Sequence, residues 1–290
     1  MENSIDTYLQ YQTKTRKLAS NTILSYQRDL YAFFSFLEAR KIKYKKVKKA
    51  EIYEYISYLQ QNGKSASTVA RVVASIRNFY KFLVLTDVIK KDPAVGISSP
   101  KGEKKLPGIL TVAEVDRLLS QPQGDSFKEL RDKAMLEVLY ATGVRASVFV
   151  ELTMLNLDLN NNLLMFMEND KQRVVPFGNQ ARIALERYLS ASDYHSGEEA
   201  YLFTNLYGKK LTRQGFWKII KYYKTKASIK KEVTPQVLRH SFAAHLMDNG
   251  IDDESLQELM GYSAISSVKK YAELSNRRIV DIYKKVHPRA

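Results

Sequence analysis

Two arginines and a tyrosine carry the chemistry open to this chain. Arg145 closes the run Ala141-Thr142-Gly143-Val144-Arg145, and Arg239 lies in Thr234-Pro235-Gln236-Val237-Leu238-Arg239-His240-Ser241-Phe242. Tyr271 follows 32 residues later, in Lys269-Lys270-Tyr271-Ala272. A phosphodiester under attack gathers negative charge on its non-bridging oxygens. The planar fork of arginine donates two parallel hydrogen bonds to such oxygens and keeps its charge. Fixed donors aimed at developing charge are the main catalytic term in phosphoryl transfer. A phenol of ordinary pKa ~10 can attack when it lies beside such a cluster. Its product, a covalent phosphotyrosine, conserves the bond for later rejoining. The set therefore suits transfer of a DNA phosphodiester to a protein hydroxyl, with no metal required. Singly, each residue has a plainer reading. Arg145 can pair with Glu151 or cap a helix end, Arg239 can be structural, and Tyr271 is one of 19 tyrosines.

The bulk of the chain bounds what could position these groups. At 290 residues, two domains are expected, and an apolar fraction of 44% is enough for packed cores. No run approaches the ~18 consecutive apolar residues of a membrane span, and Met1-Glu2-Asn3-Ser4 lacks a secretory pattern. A cytoplasmic protein without membrane contact is the expectation. The absence of cysteine excludes disulfides, thiolate zinc sites and cysteine nucleophiles. His195, His240, His245 and His287 show no metal-binding spacing, so neither metal nor cofactor is expected. Net charge is +15 and uneven: residues 1–105 hold 20 Lys/Arg against 9 Asp/Glu, the remainder 26 against 22. So large an excess over a whole domain points to a polyanion, with double-stranded DNA the natural partner.

Periodicity predicts a mainly α protein. In the first 95 residues, helices are expected near 1–15, over 21–40 with the stripe Ile23, Tyr26, Leu30, Phe33, Phe34, Leu37, and over 51–61. A fourth, capped by Ser65 or Ser67, buries Val69, Val72, Val73, Ile76, Phe79, Tyr80 and Leu83. Its polar face carries Arg71 and Arg77, with Lys64 just ahead of it, and these are the expected DNA contacts of a four-helix domain. Residues 96–107, rich in Pro, Gly, Ser and Lys, read as a linker to a second domain, 108–290. That domain opens with a capping box, Thr111 and Glu114, and is helical around a small antiparallel β-sheet. Strands are expected over 163–167 and 172–177 about a turn at Asn169-Asp170, then helices over 179–190, 213–227, 237–249 and 253–260. Arg213 and Lys218, at one helix start, are further candidate DNA contacts.

The boxes around Arg145, Arg239 and Tyr271, with Leu211-Thr212-Arg213-Gln214-Gly215-Phe216-Trp217, Met260-Gly261-Tyr262-Ser263 and the tail Tyr283 to Ala290, resemble the tyrosine recombinases of the phage-integrase type. Within them the likeness is to the bacterial Xer group, and it spans nearly the whole chain. The resemblance implies a C-shaped clamp on duplex DNA, formed by an N-terminal four-helix SAM-like core-binding domain and an α-rich catalytic domain. It implies strand cleavage and rejoining through a 3′-phosphotyrosine, by a tetramer on paired sites that could include a second recombinase. In that frame Tyr271 is the nucleophile, and Arg145 and Arg239 hold the phosphate. C-terminal tails from about Arg277 dock on neighbouring protomers.

Four positions depart from the family pattern. Gln236 stands where a histidine usually opens the second box, and Tyr262 where a histidine or tryptophan follows the glycine. Val148 replaces a supporting acid, and Glu168 replaces the lysine that protonates the leaving 5′ oxygen. Gln236 can hydrogen-bond but cannot shuttle a proton near neutral pH, whereas Tyr262 keeps a hydroxyl donor. Glu168 would repel phosphate, leaving Lys171, on the same turn, as a candidate acid. His240, next on the helix after Arg239, should face elsewhere, as a core or supporting residue. Two readings follow: a working recombinase in DNA integration or chromosome dimer resolution, or a DNA-binding partner subunit or architectural protein with weak or absent strand transfer. A helical transcription regulator and a type IB topoisomerase fit the ordered boxes and the tail less well.

Overall fold

The computed structural model describes residues 2–16, 18, 20–99, 108–168, 171–191, 197–262, 264–268 and 271. The chain divides into two compact units, Met1–Lys104 and Lys105–Ala290.

Among the described residues the first unit holds four α-helices: α1 (Glu2–Lys14), α2 (Ser20–Ala39), α3 (Lys49–Gln61) and α4 (Ala66–Leu85). The apolar stripes of α2 and α4 meet in an aromatic core, where Phe34 and Phe79 pack edge to face with centroids 5.4 Å apart. Tyr8 of α1 meets Phe79 edge-on at 5.5 Å. Each such ring, fully buried, contributes about 1.5–3 kcal/mol of hydrophobic stabilisation. Ser65 caps α4 by accepting a hydrogen bond from the Thr68 amide at 3.2 Å. The packing runs past residue 95, because Ile97 is buried in this core. Residues 100–107 of the expected linker lie outside the described residues.

The second unit comprises α5 (Val112–Leu119), α6 (Phe127–Thr142), the short α7 (Ala146–Phe149), β1 (Leu157–Asp158), β2 (Leu163–Glu168), β3 (Lys171–Pro176), α8 (Asn179–Leu189), α9 (Arg213–Lys226), α10 (Pro235–Asp248) and α11 (Asp253–Met260). The strands form one antiparallel sheet in the order β1-β2-β3. The two-residue β1 is too short to leave a periodic signal in the sequence. The expected turn, Asn169-Asp170, lies outside the described residues. The capping box at Thr111 and Glu114 starts α5 as its sequence predicts. The core is centred on Phe149, which stacks on Phe203 and Phe216 with centroids 4.8 and 4.9 Å away. A buried carboxylate, Asp132, is held by Arg131 at 2.6 Å, Lys128 at 3.0 Å and the Tyr223 hydroxyl at 3.0 Å. Paired in this way, it ties α6 to α9 without leaving an uncompensated charge. Among the described residues no helix is long and apolar enough to cross a membrane.

Candidate active site

Arg145 stands in the link between α6 and α7. Helix α6 ends at Gly143 in the left-handed region, φ +56°. A Cβ there would lie 2.6 Å from the Phe242 ring, so both the turn and its packing require glycine. Two residues on, Arg145 is extended, and its Nη2 donates to the Gly261 carbonyl at 3.3 Å.

Arg239 comes from α10, whose first turn is fixed by the Thr234 cap and Pro235. Its side chain is buried, with one Nη donating to the Gly143 carbonyl and the other to the Met260 carbonyl. The two arginines are therefore anchored on consecutive carbonyls, Met260 and Gly261, of the turn that closes α11. Burial lowers the pKa of Arg239, with Tyr262 opposing the fall and Arg145 adding to it. Its guanidinium remains a cation at any working pH, and it lies over the Tyr262 ring, 5.3 Å from the centroid.

Tyr262 joins this turn to Tyr271: their hydroxyl oxygens are 2.7 Å apart. Tyr271 is fully buried, and its Oη also lies 2.6 Å from Nδ1 of His240. His240 Nε2 in turn lies 3.0 Å from Nε2 of Gln236, one helical turn earlier. The expectation that His240 faces elsewhere is thus corrected. Neighbours on a helix point about 100° apart, but Tyr271 packs over the His240 side of α10 while Arg239 reaches round to the turn. Burial pushes the Tyr271 phenol well above its ordinary value; the Tyr262 hydroxyl adds to the rise and Arg239 opposes it.

Glu168 and Lys171 face each other in the last pair of the β2–β3 ladder, at the end where residues 169–170 join the strands. Alternation along β2 buries Leu164, Phe166 and Glu168 on one face. The Glu168 carboxylate lies 2.5 Å from Arg145 and 2.7 Å from Arg173. Burial raises its pKa, but the two guanidiniums outweigh that and hold it below the ordinary value. Arg173, which sequence reading passed over as a strand residue, also donates to the Leu259 carbonyl and so fastens β3 to α11. Its guanidinium fills the space a side chain at Gly261 would need, and Gly261 has φ +60°. Lys171 is exposed and lines a cleft of about 500 Å³ with Glu168, Arg173, Gly261 and Tyr262.

The remaining candidates lie further out. Arg213 and Lys218 are exposed and flank a hollow of about 680 Å³ with Ala146, Gln214, Trp217 and Pro235, next in sequence to Arg145 and Gln236. In the first unit Lys64 and Arg77 are exposed. Arg71 is exposed too, but is paired with the buried carboxylate of Asp29, which also accepts from Ser75 at 2.8 Å. That pair gives Arg71 a structural task the sequence did not reveal. Val148 is a partly buried apolar residue packed against the core of the second unit. Residues from Arg277 onward lie outside the described residues.

Two arginines, a tyrosine and a basic helical unit are the parts of a strand-transfer protein, and comparison with known proteins agrees. The chain belongs to the phage integrase family: its model matches residues 109–278, and the N-terminal SAM-like domain of phage integrases matches residues 5–86. Similar proteins include the tyrosine recombinase XerD of Listeria monocytogenes serotype 4b, 38% identical over all of both chains. XerD of Oceanobacillus iheyensis is likewise 38% identical over all of both chains. Among solved structures, the fold is similar to XerH site-specific recombinase bound to a palindromic difH substrate, with TM-score 0.77 and 19% identity, covering 96% of this chain and 83% of that one. It is also similar to the Tn1549 transposon integrase in complex with a circular intermediate DNA, with TM-score 0.75 and 20% identity, covering 95% and 99%.

Proposed function

We propose that this chain is a site-specific DNA recombinase that breaks and rejoins duplex DNA through a 3′-phosphotyrosine at Tyr271. The observation that carries the reading is the convergence of Arg145, Arg239 and Tyr271 on the single turn at Met260 to Tyr262. Similarity to XerD over the full chain supports it. In this reading the two guanidiniums hold the non-bridging oxygens and stabilise the charge of the transition state. Tyr271 attacks phosphorus, the 5′ oxygen leaves, and Lys171 in the open cleft is the acid that meets it. Tyr262 keeps a hydroxyl beside the phosphate, and Gln236 orders the side chains around the nucleophile. Because Tyr271 is buried, access of the phosphate to Oη requires a local rearrangement around that side chain.

Duplex DNA is held mainly through phosphate contacts from the basic first unit, 1–95, and from Arg213 and Lys218 of the catalytic unit, 108–290. Lys64, Arg71 and Arg77 are the contacts assigned to the first unit. Recombination proceeds in the cytoplasm, in a tetramer on paired sites that includes either four copies or a second recombinase, and serves chromosome dimer resolution or integration of a mobile element. The test is covalent trapping on nicked duplex DNA selected for binding to this protein. A denaturation-resistant adduct that disappears with Tyr271→Phe is the expected result. Tight binding with no adduct, even with a partner recombinase present, would sink the reading.

A further inference from the structure

A tyrosine that attacks phosphorus must give up its proton, and the chain holds a group placed to take it. His240 Nδ1 is 2.6 Å from Tyr271 Oη, while His240 Nε2 is 3.0 Å from the amide nitrogen, Nε2, of Gln236. Both the imidazole and the phenol are buried. The nearby His245 shows what a purely structural histidine does on the same helix. Its Nε2 meets the Leu110 carbonyl at 3.0 Å and its Nδ1 the Tyr140 hydroxyl at 2.7 Å, so it fastens α10 to the start of the unit and to α6. His240 instead directs a nitrogen at the one hydroxyl that would react.

We propose that His240 is a catalytic residue, the proton acceptor for Tyr271, and that Gln236 sets its tautomer. The proposal rests on the reading of Tyr271 as nucleophile. A half-turn of the carboxamide exchanges its oxygen and nitrogen at nearly the same positions. With the oxygen toward Nε2–H, Nδ1 keeps its lone pair facing Oη. The proton of Tyr271 passes to Nδ1 as the bond from Oη to phosphorus forms. The bond from phosphorus to the 5′ oxygen breaks, and that oxygen takes a proton from Lys171 or water. In rejoining, the imidazolium returns its proton to Oη as the 5′ hydroxyl attacks and gives its own proton back. Gln236 thereby gains a task of its own: it cannot carry a proton, but it can hold the ring that does.

The phenol's surroundings make a local acceptor necessary. Burial disfavours the phenolate, so attack by a pre-ionised Tyr271 is scarce near neutral pH. Imidazole, ordinary pKa ~6.5, is the side chain suited to accept a proton there. Among the described residues, Tyr262 after α11 and Arg239 on α10 act on the Tyr271 phenol, and Arg145 ahead of α7 and Glu168 on β2 act in turn on Arg239.

The test uses selected duplex DNA with sulfur in place of the bridging 5′ oxygen at the scissile phosphate. A thiolate leaves without a proton, so the acid is bypassed and the acceptor is read alone. Cleavage rates are measured between about pH 5.5 and 9.5 for the intact chain, His240→Asn, Gln236→Glu and Tyr271→Phe, with DNA affinity measured in parallel. The intact chain should rise to a plateau, and His240→Asn should fall ~10²–10⁴-fold at neutral pH with affinity retained and the rate still climbing at the alkaline end. Gln236→Glu, facing Nε2–H with a carboxylate, should move the midpoint to higher pH. A His240→Asn protein with the rate and profile of the intact chain overturns the proposal. So does an unmoved midpoint in Gln236→Glu, which also decides the matter if His240→Asn fails to fold. No Tyr271-dependent adduct from the intact chain would instead remove the nucleophile assignment itself.

Discussion

Glu168 Oε2 lies 2.5 Å from Nη1 of Arg145, so the first phosphate-binding arginine already holds an anion supplied by its own chain. The contact is close but off line, and the other carboxylate oxygen, Oε1, is buried without a hydrogen-bond partner among the described residues. A phosphate arriving at Arg145 must compete with this carboxylate. Glu168→Gln should therefore bind selected DNA more tightly, by about tenfold, as the carboxylate's repulsion is removed. It should also lower stability in the absence of DNA by about 2–4 kcal/mol, toward the low end because Arg145 is partly exposed. Thermal melting with and without DNA separates the two effects.

The same pair sets an acid limit. Glu168 is held below its ordinary pKa in the folded chain, so its contribution is present above the ordinary carboxylate range, ~4.3, and is lost as pH falls through the lower folded value. Melting curves taken from pH 5 downward should show a steeper loss for the intact chain than for Glu168→Gln.

Lys171 is exposed on the hairpin and enters the cleft beside Tyr262. On an ordinary oxygen-bridged substrate, Lys171→Ala should slow adduct formation ~10²–10⁴-fold. With a sulfur leaving group the same substitution should be nearly silent. Equal losses on both substrates would remove Lys171 from the acid's role.

Arg71 and Arg77 share a helix but differ in what they hold. Arg77→Ala should lower the slope of log affinity against log salt by about one unit and leave the melting temperature unchanged. Arg71→Ala should lower the melting temperature as well, because it strands the buried Asp29 carboxylate.

At the alkaline end, burial raises the Tyr55 pKa to about 12, with the charges of Asp29 and Tyr58 adding to the rise. A group whose folded pKa is raised stabilises below its unfolded value and loses that contribution as pH climbs through the folded one. The first unit should therefore lose stability between about pH 10 and 12, as phenols ionise more easily in the unfolded chain. Tyrosinate absorbance should rise together with the loss of helical circular dichroism. Ionisation completed well before unfolding would contradict the assignment.

Much of the fold was legible because its elements announce themselves by period and cap. Ser65, Thr111 and Thr234 each start a helix by accepting a hydrogen bond from an amide three residues on. The three central residues were legible from their boxes and chemistry. Their supporting contacts were not, because these depend on which surface a distant segment presents. A helical wheel separates His240 from Arg239, yet cannot say that Tyr271 will cover His240. Alternation along β2 could have flagged Glu168 as a buried acid, since Leu164 and Phe166 mark the inward face. Nothing local to Arg173 or to Asp29 indicates their partners on α11 and α4.

Arg145 and Arg239 are fastened to adjoining peptide carbonyls, Gly261 and Met260. The spacing of the two cations is thus gauged by a single peptide unit, and the hydroxyl of Tyr262, the very next residue, keeps Tyr271 to the same gauge. A tilt of α11 would shift every member of the set at once instead of loosening one. Substitutions along that helix should therefore behave as one cooperative dial, with losses that fail to add to those of Arg145 or Arg239 variants.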